Sequence, residues 1–280
     1  MSGFVMTAVL FAALLHASWN AIVKSGNDKF LDTILVACGA AMVSAATLPF
    51  LPLPAAQSWP FLIASAVIHL AYFALVAAAY RTGDLSYTYP IMRGTAPLLT
   101  ALVAGFFIAE RLTAGGWGGI LLISAGILLL AANQWRRGQF HLSQTLFALG
   151  NSAVICIYTL FDGIGTRLAG NSFSYVGWML VLDGVMLAAF VFARHGEAVT
   201  RQLKARWHFG VGGGLCTWAS YAIALWAMTK APVALVAALR ETSVIFGTVL
   251  AAAVLKEKFS NVRYAAAFLV CAGAVSLKMF

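Results

Sequence analysis

The chain has 280 residues, of which 62% are hydrophobic and 10% charged, and its mean hydropathy is +0.89. Soluble domains have about 25% charged and about 45–50% apolar residues, so this composition excludes a soluble protein. A net charge of +9 would indicate nucleic-acid binding in a soluble chain, but here the basic residues lie in short segments between apolar runs, where they orient membrane spans. We therefore expect an all-α integral membrane protein with the lipid bilayer, and no nucleic acid, as a partner.

Ten apolar segments are long enough to cross a bilayer, which takes roughly 20 helical residues. In chain order they cover residues 4–23, 30–50, 59–80, 87–109, 115–133, 143–163, 173–193, 208–229, 233–255 and 261–279. The first has spanning length and no basic segment before it, so we expect a transmembrane helix and not a cleaved signal peptide.

The fourth and fifth spans are repeated in the ninth and tenth. A shift of 147 residues, without a gap, brings identical residues together, among them Arg93 with Arg240, Thr95 with Thr242, Glu110 with Glu257 and Gly126 with Gly273. Because each half has five spans, an odd number, the second half crosses the membrane in the opposite direction. We therefore predict two inverted repeats, residues 1-135 and 136-280, with a substrate site between them near the membrane midplane.

Two arginines, Arg93 and Arg240, lie inside these apolar spans. A charge at membrane depth is expensive and by default marks a transport pathway. The guanidinium group suits carboxylate and phosphonate, so the pair predicts an anionic group on the cargo. Two alternatives remain open. Arg93 is near enough to the membrane edge to snorkel, and Arg240 has possible structural partners in Asp162, Asp183 and Glu241.

The backbone around Arg93 is predicted to be irregular. Pro90 removes a helical hydrogen bond and Gly94 loosens packing at the start of the fourth span. Irregular backbone at membrane depth is tolerated where it lines a cavity.

Further substrate-binding candidates are polar and aromatic side chains on other spans. His16 and Asn20 are four residues apart and share a helix face, as do His69 and Tyr72, which are three apart. The full set beyond the arginines is His16, Trp19, Asn20, His69, Tyr72, Tyr89, Tyr158, Asp162, Trp218, Tyr221 and Glu241. For the histidines and aromatic residues the alternative is packing within the bundle or against lipid.

Proton coupling is expected at a carboxyl group, and Glu241 and Asp162 are the candidates because a buried carboxyl can bind a proton near neutral pH. Asp162 lies near the end of its span, so an interfacial position is the alternative. Asp183 lies in the middle of the seventh span and is expected to be structural.

Catalytic and metal-binding patterns are not found. The sequence contains no HExxH motif and no cluster of His, Asp and Glu with catalytic spacing. The four cysteines form no CxxC pair. We expect no enzyme activity, no metal and no cofactor.

Several segments resemble the EamA branch of the drug/metabolite transporter superfamily. A-E-R-L closes the fourth span at 109–112, and K-E-K-F closes the ninth at 256–259. Segments 15–26, 89–97 and 238–247 look like one subgroup of that branch. The resemblance covers essentially the whole chain. It implies ten helices, alternating access, and a central cavity lined mainly by the first, third, fourth, sixth, eighth and ninth helices.

The arginines and the resemblance together predict a secondary transporter in a bacterial-type inner membrane. The expected cargo is a small polar anionic or zwitterionic metabolite, such as an amino acid or, by family association, an aminophosphonate. The resemblance favours an exporter or exchanger. A monomer and a homodimer are both compatible with the sequence. The alternatives are a flippase of a lipid-linked sugar and a non-transporting membrane scaffold.

Membrane orientation is predicted by the basic residues. Twelve of the eighteen lysines and arginines lie on one side of the predicted spans and four on the other, and the two buried arginines complete the set. The positive-inside rule then places both termini outside the cytoplasm. The family resemblance implies the reverse, with both termini inside.

Overall fold

The computed structural model describes residues 1–26, 28–82, 85–136, 138, 141–255 and 260–279. In these ranges all regular structure is helical. The α-helices are α1 (Gly3–Lys24), α2 (Lys29–Thr47), α3 (Trp59–Thr82), α4 (Leu85–Phe107), α5 (Ala114–Arg136), α6 (Leu142–Leu168), α7 (Ser172–Met228), α8 (Val233–Arg240), α9 (Ser243–Leu255) and α10 (Asn261–Met279). Two 3-10 turns, Leu48–Phe50 and Ala56–Ser58, join α2 to α3.

The helices have the length and composition of membrane spans. Nine stretches among the described residues are long and apolar enough to cross a bilayer. α3 has 24 residues, which is also a spanning length. Short polar side chains begin several helices by accepting backbone N–H groups, as Asp28 does from Leu31 at 3.0 Å. The prediction of an all-helical membrane protein with ten spans is confirmed.

The seventh and eighth spans form one helical run, α7, of 57 residues. A straight helix of that length would extend about 85 Å. Phe173 near its start and Trp226 near its end nevertheless line the same pocket. The run therefore turns back on itself between its two apolar stretches, Ser172–Phe192 and Thr200–Met228.

Small residues allow α2 to pack closely against both stretches of α7. A methyl group added at Gly184 would overlap Ala41, and one added at Gly213 would overlap Val36. Helices in a membrane approach closely where their contact residues are small. The glycine-rich start of the eighth span is thus a packing surface for α2.

The ninth span is divided where the sequence gives no breaker. α8 ends at Arg240, and a tight turn follows in which Glu241 N–H donates to Ala238 O at 3.0 Å. The Thr242 hydroxyl donates to Leu239 O at 2.7 Å, and α9 begins at Ser243. Such tight turns inside a helix often mark hinges.

The expected irregularity at the start of the fourth span is wrong. α4 is one helix, and Pro90 and Pro97 both lie inside it. The missing N–H of a proline weakens a helix without always breaking it, because neighbouring helices in a membrane support the backbone. The Ser152 hydroxyl of α6 supports α4 in this way by donating to Met92 O at 3.1 Å.

Contacts between the two halves are arranged in equivalent pairs. α3 packs on α6, and α1 packs on α7, where the Ser220 hydroxyl donates to Ala12 O at 2.7 Å. α4 likewise packs on α6, and α1 on α8 and α9. α5 and α10 pack on each other. Pairs of this kind are expected from an inverted repeat, and the division at residue 135 stays a prediction.

Candidate substrate site

An ion pair joins α4 to the turn between α8 and α9. Arg93 Nε lies 2.6 Å from Glu241 Oε2, and each residue is only 5% exposed. Arg93 therefore does not snorkel to the membrane surface, and that alternative is wrong. The pair links the two predicted repeats in the buried interior of the helix bundle.

Arg240 has a different environment from Arg93, although it is also buried, at 8% exposure. Its guanidinium carbon lies 5.0 Å from the centre of the Tyr221 ring, a cation–π contact. Among the described residues no carboxylate lies within ion-pair distance of Arg240. The alternative of a structural ion pair with Asp162, Asp183 or Glu241 is therefore not observed.

A small cavity of about 10 Å³ lies between the two arginines. This volume is about that of a single water site, so the protein is closed around the cavity. The cavity is lined by Arg93, Ala96, Pro97, Thr100, Ile155, Tyr158, Thr159, Ala237, Arg240 and Glu241. A metabolite would fit only after the surrounding helices move apart.

The predicted tyrosines gather beside this cavity. Tyr158 is a lining residue, and its ring lies 5.9 Å from that of Tyr72 and 4.3 Å from that of His69. Tyr72, Tyr89 and Tyr158 all lie close enough to Arg93 to interact electrostatically with its charge. The structure thus brings together candidates from α3, α4 and α6.

The candidates on α1 bond mainly to one another. Trp19 Nε1 donates to His16 Nδ1 at 3.3 Å, and Asn20 Nδ2 donates to His16 O at 2.9 Å. His16 also lies close enough to Arg93 and Arg240 to interact electrostatically with both. Of the three, His16 is therefore the one that the structure connects to the arginines.

Trp218 lies apart from the cavity. It is half-buried against the main hydrophobic cluster, and its indole Nε1 has no hydrogen-bond partner in the described part of the chain. The structure places it in helix packing and does not bring it to the arginines.

A second buried polar cluster lies on the other side of Tyr221 and Tyr158. His69 Nδ1 is 3.2 Å from Asp183 Oδ2. Asp162 is fully buried and accepts hydrogen bonds from Tyr175, at 3.2 Å, and from Tyr221. The interfacial alternative for Asp162 is therefore wrong.

Asp183 and Tyr175 also belong to this cluster; sequence reasoning did not single out Tyr175, and the structural role expected for Asp183 stays a prediction. Asp183 was assigned a structural role because the seventh helix is peripheral in the family. The one signal in the sequence was a carboxylate in the middle of an apolar span, which by default marks a functional site.

One end of the bundle, here called the terminal side, carries the N-terminus and the connections after α2, α4, α6 and α7. Ala55 N–H donates to Ala169 O at 3.1 Å between two of these connections. The rings of Phe4 and Trp226 meet there at 5.8 Å. The helix ends on this side are thus held together.

Glu110 and Arg167 join the helix ends on the terminal side by an ion pair and by hydrogen bonds to the backbone, here called the Glu110 clasp. Glu110 Oε1 accepts from Arg167 Nη2 at 2.7 Å and from Val233 N–H at 2.9 Å. Arg167 also donates to Met228 O at 2.8 Å and to Ala231 O at 3.2 Å. Glu110 therefore caps the start of α8, the helix that ends at Arg240. Its repeat partner Glu257 lies outside the described residues.

On the opposite side of the bundle, Asp32 forms an ion pair and a hydrogen bond, here called the opposite-side clasp. Asp32 is 1% exposed. Arg206 Nε lies 3.1 Å from Asp32 Oδ1, and Gln202 Nε2 donates to the same oxygen at 2.7 Å. This contact joins α2 to α7 and involves none of the cavity-lining residues.

The fold and the buried charges define a class of protein, the multi-span membrane transporters. Residues 142–278, from α6 to α10, match the EamA-like transporter family, so this part of the chain is similar to that family. The family prediction is confirmed. EamA-like proteins are transporters and not enzymes, which agrees with the expectation that the chain has no catalytic activity.

The fold is shared with solved structures. Among 28 matching chains is a crystal structure with a TM-score of 0.72 and 18% sequence identity, covering 99% of this chain and 96% of the other. At this identity the likeness shows the fold alone. No curated protein matches the sequence significantly.

Proposed function

We propose that this protein is a secondary transporter of a small anionic or zwitterionic metabolite, and that Arg240 binds the anionic group. The observation that carries the proposal is the environment of Arg240. It is a buried guanidinium on a closed cavity, with an aromatic ring but no carboxylate as its partner among the described residues. A buried guanidinium that contacts no carboxylate directly can still form charge-assisted hydrogen bonds, so binding an anion there is favourable.

The Arg93–Glu241 pair supplies the polarity that a zwitterion requires. Glu241 follows Arg240 directly in the chain, and both line the cavity. A cargo carboxylate on Arg240 would therefore lie near a carboxylate able to attract the cargo ammonium. An amino acid or an aminophosphonate has both groups, which supports the substrate class that the sequence predicts.

Alternating access is supported by the closed cavity. A site of about 10 Å³ admits no metabolite, and the Glu110 clasp closes its terminal side. Transport then requires the helices to separate on one side at a time. The turn between Arg240 and Ser243 is a natural position for that movement. Export or exchange, the direction implied by the resemblance, stays a prediction that counterflow from preloaded vesicles tests.

Binding is tested with purified protein and a panel of L-amino acids, aminoethylphosphonate, tetraethylammonium and glucose. A compound that binds only the folded state raises the melting temperature. At a concentration of about 100 Kd it adds about 2.7 kcal/mol to the free energy of unfolding. We expect a shift with an anionic or zwitterionic compound, its loss in Arg240→Gln, and its retention in Arg136→Gln.

Arg136 is a matched control because it lies exposed at the end of α5, away from the cavity. A shift that survives in Arg240→Gln contradicts the proposed role of Arg240. Shifts with tetraethylammonium or glucose alone contradict the anionic cargo. Tight binding of lipid-linked sugars instead would favour the flippase.

A further inference from the structure

The cluster of His69, Asp162 and Asp183 is separate from the cargo cavity but touches it through two tyrosines. None of its three titratable residues lines the cavity. Tyr158 lines the cavity and stacks near His69, at 4.3 Å. Tyr221 turns its ring to Arg240 and donates its hydroxyl to Asp162. The cluster is therefore placed to respond to what Arg240 binds.

The charges around Tyr221 are balanced only while Arg240 is without an anion. Arg93 and Glu241 neutralise each other at 2.6 Å. The positive Arg240 and the fully buried Asp162 then face Tyr221, one at its ring and one at its hydroxyl. An anion on Arg240 cancels that positive charge and leaves the negative charge of Asp162 without compensation.

We propose that the cluster of His69, Asp162 and Asp183 binds one proton together with each anion, so that the protein is a proton–anion symporter. The inference rests on the proposed function, because it needs an anion at Arg240. The proton comes from water on the side where the anion enters and adds to a carboxylate or to the imidazole of the cluster. It leaves to water on the other side when the anion is released.

A proton fits this cluster better than a metal cation. Both carboxylate oxygens of Asp162 already accept tyrosine hydroxyls, and aromatic rings of Tyr158 and Tyr221 surround His69. A hard cation needs several oxygen ligands around one centre. No group of three metal-binding side chains is found in the ranges that the structure describes. The contact between His69 and Asp183, in contrast, is one that a proton itself strengthens.

All ionisable groups that face the cluster are compatible with this coupling. Asp183 and Tyr175 come from the first stretch of α7, Asp162 and Tyr158 from α6, Tyr221 from the second stretch of α7, and Arg240 from α8. His16 on α1 faces the two arginines and is the competing proton acceptor.

The sign of the coupling follows from electrostatics. A bound anion and a bound proton attract each other across a medium of low dielectric constant, so each tightens the binding of the other. In a membrane with an inward proton gradient this sign favours uptake of the cargo, in contrast to the export implied by the family resemblance.

The test uses the full-length protein in detergent and whichever panel compound shifts the wild type, with aminoethylphosphonate as the first probe. If one proton accompanies each anion, Kd falls about tenfold for each unit that the pH is lowered, within the range where the cluster titrates. Proton uptake on mixing, measured with pyranine in weak buffer, should approach about one proton per bound probe by the same linkage.

Asp162→Asn imitates the protonated carboxyl and separates the possible outcomes. We expect this variant to bind the probe with a pH-independent Kd and without proton uptake. Asp32→Asn, which alters another buried carboxylate at the opposite-side clasp, should keep the wild-type slope. If Asp162→Asn does not fold, the wild-type stoichiometry alone decides.

Four results overturn the inference. Wild-type binding that is independent of pH, with no proton uptake, refutes it but leaves the proposed function standing. A slope abolished by His16→Asn and not by Asp162→Asn moves the proton to another site. In proteoliposomes, uptake driven by a sodium gradient but not by a proton gradient identifies a metal cation instead. Absence of binding by every anion, at any pH, refutes the proposed function as well.

Discussion

α4 and the α8–α9 segment are equivalent in the predicted repeat, yet they present their arginines in different ways. α4 is one continuous helix despite Pro90 and Pro97, and its Arg93 is neutralised by Glu241. The equivalent span is divided directly after Arg240, which has only the Tyr221 ring as a close partner among the described residues. The same residue at equivalent positions is thus an internal structural pair in one half and an available charge in the other.

This difference shows how a repeated sequence acquires two roles. Both guanidinium groups lie at the cavity, at positions that the predicted repeat makes equivalent. A single carboxylate, that of Glu241, breaks this equivalence. It pairs with Arg93, and the equivalent position in the first repeat is Gly94, which has no side-chain charge. The comparison therefore predicts that the two arginines respond differently to the same substitution.

The largest effect is expected from Arg93→Gln. It leaves Glu241 buried without its cation, and removing one partner of a buried ion pair typically costs about 3–5 kcal/mol of unfolding free energy. Arg240→Gln breaks no direct ion pair, and a proton can relieve the negative charge of Asp162, so this variant should cost less than half as much. Thermal melting of both variants in detergent measures the difference.

The double variant Arg93→Gln/Glu241→Gln provides the control, because it removes both charges and should recover most of the lost stability. Equal losses in the two single arginine variants would show that Arg93 and Arg240 have the same role.

A smaller effect is expected from Glu110→Gln, which weakens the clasp with Arg167 and the charged cap of α8. Loss of such a cap costs about 1–2 kcal/mol. We expect a lower melting temperature together with weaker anion binding, because α8 carries Arg240. Asp28→Asn is the matched control for loss of a charged helix cap, since Asp28 caps α2 at an exposed position. If both variants weaken anion binding equally, α8 has no special link to the site.

The smallest effect is expected from the Tyr221 ring. A cation–π contact contributes about 0.5–2 kcal/mol. Tyr221→Phe keeps the ring that faces Arg240, whereas Tyr221→Leu removes it, and both lack the hydroxyl that donates to Asp162. We expect the leucine variant to bind the probe anion about two- to fivefold more weakly than the phenylalanine variant. Equal dissociation constants would show that the ring does not hold Arg240 in place.

Much of the fold follows from the sequence because the bilayer leaves few choices. Length and hydropathy predict the ten spans, and the shift that superposes Arg93 on Arg240 predicts that the two meet at one site. The turn after Arg240 was not predicted, since no proline or glycine lies at residues 240–243. It depends on hydrogen bonds that form only in the folded bundle, such as the one from Thr242 to Leu239.

Partners across the site were the least predictable feature. Periodicity shows which side chains share a helix face, but not which helix packs opposite. The sequence therefore left Glu241, Asp162 and Asp183 as equal candidates for Arg240, and the structure pairs Glu241 with Arg93 and Asp183 with His69. It also gave Arg167 no role, because an arginine at the end of a span is expected to face the interface.

The position of Glu110 has a pharmacological consequence. Its carboxylate holds the first residues of α8, and the other end of this eight-residue helix is Arg240, the proposed anion-binding residue. A small cationic compound that displaced Arg167 from Glu110 would act on Arg240 through about 12 Å of helix. Such a compound would be a non-competitive inhibitor of transport. Its potency would fall as the salt concentration rises, because salt screens its attraction to Glu110.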